Sequence, residues 1–195
     1  MRNLLRAYFS RLKKSKAFWM PVLFMVGLVL LLAVQSRLVA GEYGYTVLAE
    51  EGLFAAQVFL GIAAAVFVGL FVGAEYSSGT LRSKIVVGHK RRDIYMASFI
   101  LCMAAVAGIY VLSMATALGI NTLVFAWGDT SWEELLDLLG VGLAISLLYA
   151  ALFHLPAILG SSRTHSSITA ILLAIMLLFL AEYTYQHLDQ PKFIQ

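Results

Sequence analysis

The sequence predicts an all-α, polytopic membrane protein of about five transmembrane helices behind a short amphipathic helix, and three observations predict it. The chain of 195 residues is 61% hydrophobic and only 13% charged, with a mean hydropathy of +0.86; soluble domains average about 45–50% apolar and about 25% charged residues. Its apolar residues fall in runs of about twenty, the length at which a helix rising ~1.5 Å per residue crosses a ~30 Å hydrocarbon layer. The Lys and Arg residues collect between alternate runs, as they do when charged loops resist translocation.

The elements follow in order. Residues 1–16 place Leu4, Leu5, Tyr8, Phe9 and Leu12 on one stripe, with Arg2, Arg6, Arg11, Lys13, Lys14 and Lys16 around them. That pattern suits a helix lying in the headgroup layer. A secretory signal is the competing reading, but the apolar run that follows, 17–36, exceeds a ~7–15-residue signal core and no small-residue cleavage site closes it. Further spans are expected at 53–74, 94–123, 138–160 and 168–183, in one transmembrane domain covering 17–195.

Of the fourteen Lys and Arg residues, all but Arg37 and Lys192 lie in the N-terminal helix, in the segment 75–93 or at Arg163. This predicts a cytoplasmic N-terminus and, after five spans, a C-terminus outside a bacterial-type plasma membrane. The opposite segments are acidic, with Glu42, Glu50, Glu51, Asp129, Glu133, Glu134, Asp137 and Asp189, and carry Trp127, Trp132, Tyr183 and Tyr185 near the interface. A net charge of +3 does not point to nucleic acid, because the basic residues flank apolar runs, where anionic lipid headgroups take them. The single Cys102 permits no internal disulfide.

Within the second run Gly61, Ala65, Gly69 and Gly73 put a small residue at every fourth position. Such a stripe lets another helix come close, either a second copy at a dimer seam or a helix of the same chain. His154 and Pro156 lie inside the fourth run, where proline kinks a helix. A kink with a polar ring can line a substrate path; a lone histidine is also commonly a packed, hydrogen-bonded residue. His89, His165 and His187 have no ligand-like spacing, so no metal site is expected. Tyr43 to Val47 shares letters with a potassium filter but not their order.

The spans hold almost no ionisable residues, which disfavours ion-coupled transport. No Gly-x-x-x-x-Gly-Lys-Ser/Thr phosphate loop is present, so any transport must draw on ATP bound elsewhere. Neither is there a catalytic cluster, and the chain reads as non-enzymatic.

Between the second and third runs stands Glu75-Tyr76-Ser77-Ser78-Gly79-Thr80-Leu81-Arg82, then an apolar stretch with Ile85 and Val86, then Gly88, Lys90, Arg91, Arg92 and Tyr95. Ser77 or Ser78 can cap a helix start, Leu81 and Ile85 share a face, and Gly88 is a natural stop. The pattern resembles the permease subunits of the type-2 family of ATP-binding-cassette exporters, whose motif is Glu-Tyr-x-x-Gly-Thr-Leu-Arg followed by a short apolar run, a Gly, basic residues and a Tyr. The N-terminal helix is similar to that family's elbow helix. The resemblance implies two permease subunits, identical or different, and two ATPase subunits that hold the ATP and Mg, with no cofactor in this chain. It also implies that Glu75, Gly79, Thr80, Leu81, Arg82, Ile85, Val86, Gly88, Arg91 and Arg92 contact the ATPase. Family members usually have six spans; with five expected here, the last is expected to lie beyond this sequence, to be absent or to be supplied elsewhere. The expected function is export of an amphipathic substrate, such as an antimicrobial peptide, drug or lipid-like molecule. The alternative is a non-transporting immunity or assembly factor acting by helix–helix binding in the bilayer.

Overall fold

The computed structural model describes residues 2–44, 46, 48–49, 53, 56–128, 131–159 and 163–188. Among these the chain is almost wholly helical, with one isolated bridge between Leu48 and Ala126: α1 (Arg2–Lys14), α2 (Lys16–Tyr43), a 3-10 turn (Ala56–Phe59), α3 (Leu60–Ser77), α4 (Thr80–Val86), α5 (Arg91–Val124), α6 (Trp132–Leu159) and α7 (Arg163–Leu188). α2, α5, α6 and the helical stretch that ends in α3 are long and apolar enough to cross a membrane. The expected fifth span falls in α7, where the apolar stretch is Ser167–Phe179.

The all-α architecture is as the sequence predicts, but helix ends lie where caps place them rather than where hydropathy falls. α2 continues seven residues past the apolar run and stops at Gly44, whose left-handed φ of 70° turns its N–H back to the Ala40 carbonyl. α6 starts well before residue 138. Glu134 N–H donates to Ser131 Oγ at 3.3 Å while Ser131 N–H donates to Glu134 Oε2 at 3.1 Å, a reciprocal capping box. Only Ser15 separates α1 from α2, and its hydroxyl accepts from Ala17 N–H.

α3 is the axis of the bundle, lying against α2, α6 and α7, while α5 packs against α1, α2 and α6. The core runs along α3 through Phe67 and Phe71 and is completed by Met25, Leu101, Ile109 and Phe153. Gly61, Ala65, Gly69 and Gly73 are all buried within the chain itself. A Cβ on Gly61 would meet the Tyr149 ring of α6 at 3.4 Å, so at Gly61 the close approach is made by a helix of this chain. α1 turns Tyr8 and Leu12 inward and leaves Phe9 exposed.

A second close approach sets the spacing of α5 and α6. The Tyr110 hydroxyl donates to the Leu139 carbonyl at 2.8 Å, and a Cβ on Gly142 would lie 2.5 Å from that hydroxyl oxygen. Gly142→Ala is therefore expected to cost about 1–3 kcal/mol through overpacking, read as a lower thermal midpoint of the purified protein. Adding Tyr110→Phe removes the obstructing oxygen and is expected to recover part of that loss.

Candidate functional site

The membrane end where α1, α3 and α4 meet carries the chemistry. Glu75 occupies the last turn of α3 and is 1% exposed. A carboxylate there is doubly unfavourable: it is out of water, and it faces the negative end of the helix dipole. Three side chains offset this. Lys84 Nζ lies 2.8 Å and Arg11 Nη1 3.3 Å from Glu75 Oε1, and the Tyr8 hydroxyl donates to Oε2 at 2.9 Å. Lys84 Nζ also donates to the Tyr8 oxygen at 2.6 Å and sits over its ring, while the Arg11 guanidinium lies over Phe71. Burial, with the Glu75 carboxylate beside it, pushes the Tyr8 phenol far above its ordinary range, so it remains a donor.

The local backbone explains how Lys84 reaches back to Glu75. Gly79, at φ 65°, makes a left-handed turn immediately after α3, a conformation that costs glycine little. Thr80 Oγ1 donates to the Glu75 carbonyl at 3.3 Å and meets Ser78 Oγ at 3.1 Å. The sequence suggests Ser77 or Ser78 as the cap of α4, but Gly79 holds the cap position, without a side chain. Gly88, at φ 93°, ends the segment as expected, its N–H donating to the Ile85 carbonyl at 3.0 Å.

α4 therefore hangs from α3 and α1 by polar contacts and buries none of its own residues. Its apolar side chains grade outward: Leu81 is half-buried, Ile85 is 38%, Val86 84% and Val87 77% exposed. Arg82, Lys90, Arg91 and Arg92 are exposed around this cap. The segment thus offers a small apolar surface beside exposed cations, which the rest of the chain leaves open.

A family model described as "ABC-2 family transporter protein" matches residues 4–181. The chain belongs to the ABC-2 transporter family. It is accordingly a multi-pass membrane protein with a permease role in an ABC transporter. No curated protein and no solved structure matches this ABC-2 chain.

The expected contact residues of this ABC-2 permease divide into three groups. Arg82, Ile85, Val86, Gly88, Arg91 and Arg92 lie on the exposed surface of α4 and its flank. Glu75 does not. Its carboxylate is held inside the chain by Tyr8, Arg11 and Lys84. Gly79, Thr80 and Leu81 shape the turn and the inner edge of α4. Tyr8, Arg11 and Lys84 were not singled out from the sequence. The available signal was the buried glutamate, which needs cations that only the two basic segments beside it can supply.

His154 and Pro156 both stand near the C-terminal end of α6. His154 is 0% exposed, edge-on to Tyr95 and Phe99, with Nε2 3.3 Å from Ser98 Oγ. The Pro156 carbonyl accepts from Thr169 of α7 at 3.3 Å. Both are part of the packing of α6. Among the described residues no group of His, Cys, Asp and Glu is placed to hold a metal.

Proposed function

We propose that the chain is the permease subunit of an ATP-driven exporter, non-catalytic itself, that moves an amphipathic molecule of the antimicrobial-peptide, drug or lipid-like class from the cytoplasmic side. A separate ATPase supplies ATP and Mg, and a second permease subunit completes the transport path. The observation that carries this reading is the apolar cap of α4, exposed at Ile85, Val86 and Val87 and tied through Lys84 to Glu75. An apolar groove with an acidic rim on the ATPase would bury that cap and pair with Arg82, Arg91 and Arg92. Movement of α4 then pulls on α3 through Glu75 and on α1 through Tyr8, so closure of the ATPase dimer is passed to the spans as a rigid-body shift.

Co-expression tests this. An ABC-class ATPase is expected to copurify with the chain, and the chain alone is expected to hydrolyse no ATP. Transport by the reconstituted chain alone, driven by a proton or sodium gradient, would overturn the proposal.

Orientation is part of the same reading, with α1 and α4 cytoplasmic. Ser83 and Ser131 are both exposed and stand at opposite ends of the bundle. Single cysteines at these positions are expected to react with an impermeant reagent from opposite sides of intact cells, Ser131→Cys from outside. Labelling of Ser83→Cys from outside would reverse the topology.

A further inference from the structure

At the end of the bundle far from Glu75, α2 and α5 leave an apolar groove of about 260 Å³. Leu30, Ala33, Val34 and Leu38 of α2 face Ile120 and Val124 of α5 across it, and Arg37 stands at its rim. The α2 residues recur at three- and four-residue intervals and so form one face. Ala33 is the buried floor, while Val34 and Leu38 are more than half exposed. We propose that this groove binds the acyl chain of an anionic phospholipid whose phosphate pairs with Arg37.

Three arguments converge. The groove is smaller than the ~300–1,000 Å³ of a drug-sized pocket, and apart from Arg37 its lining is wholly aliphatic, which suits a methylene chain. Arg37 lies twenty-one residues beyond Lys16 along one continuous helix, which at ~1.5 Å per residue is ~31 Å. That separation matches the ~30 Å hydrocarbon layer, so the two cations reach the phosphates of opposite leaflets. Finally, Arg37 is exposed, and among the described residues no carboxylate pairs with it. A guanidinium at headgroup depth is complementary to a phosphate, which it can hold through two parallel hydrogen bonds. The inference stands on helix packing and depth alone and does not depend on the transport reading.

The test uses the full chain reconstituted in vesicles, with Cys102→Ser removing the buried native thiol. Gly41→Cys, exposed one turn beyond Arg37, carries a bimane fluorophore. Nitroxide-labelled phosphatidylglycerol is expected to quench it at several-fold lower mole fraction than nitroxide-labelled phosphatidylcholine. Arg37→Gln is expected to abolish the difference and Arg37→Lys to keep most of it. Val34→Phe, which fills the groove from its exposed wall, is expected to reduce the difference with Arg37 still present. Helix content by circular dichroism confirms that each variant is folded. Equal quenching by both lipids in the parent would overturn the proposal, as would a preference unchanged in Arg37→Gln or in Val34→Phe.

Discussion

Lys84→Met is expected to destabilise the folded protein by about 3–5 kcal/mol, the range for removing one partner of a buried ion pair. The size comes from what is left behind. Glu75 keeps the neutral Tyr8 donor, but its one remaining cation is Arg11 at the longer distance of 3.3 Å, itself 36% exposed and partly hydrated, and the carboxylate remains at the negative end of α3. Glu75→Gln is expected to cost less, because a buried amide still accepts from Tyr8 while Lys84 and Arg11 can turn toward water. The sign of their combination is the stringent outcome. Adding Glu75→Gln to Lys84→Met removes the stranded charge, so the double variant is expected to be more stable than Lys84→Met alone. Strict additivity in a double-mutant cycle of thermal midpoints would show that the two residues do not interact. In the complex, Glu75→Gln is expected to uncouple substrate-stimulated ATP hydrolysis from transport with little change in ATPase copurification.

The second large effect belongs to the outer side of the same helix. Replacing Ile85 and Val86 together with Asp is expected to abolish ATPase copurification while leaving membrane insertion unchanged. Val86 is 84% and Ile85 38% exposed on a helix that fully buries none of its residues, so the substitution breaks little internal packing. Burying a branched aliphatic contributes ~1.5–3 kcal/mol, and forcing a carboxylate into an apolar groove costs considerably more. Val86→Ala alone is expected to weaken the complex by roughly tenfold, since ~1.4 kcal/mol is one decade in affinity. Leu81→Ala should act differently, lowering the stability of the chain more than its affinity, because Leu81 is half-buried against its own bundle. If the apolar cap rested on lipid instead, the Asp pair would retain the full complement of ATPase, and that result would refute the docking role.

Much of this architecture was legible in the sequence, for a physical reason. A bilayer demands apolar runs of fixed length, and that demand is local, so the spans and the basic segment between the second and third announce themselves. Helix ends were less legible because caps, not hydropathy, set them. The capping box of Ser131 and Glu134 and the left-handed Gly44 both lie outside the apolar runs they terminate. The small-residue stripe of α3 was ambiguous in the sequence since glycine spacing specifies closeness but not the partner; the Tyr149 ring against Gly61 supplies a partner from the same chain. The Glu75 cluster was least legible of all. Its members stand at positions 8, 11, 75 and 84, and no periodicity links them.

That separation along the chain sets an order of assembly. Lys84 follows Arg11 by seventy-three residues, which at a synthesis rate of ~5–20 residues per second is a delay of roughly 4–15 s. During that interval Tyr8 and Arg11 have left the ribosome without their glutamate, and when Glu75 emerges it still precedes its closest cation. The junction of α1, α3 and α4 can therefore be completed only once Lys84 has been made, some seventy residues after the helix that supplies Tyr8 and Arg11.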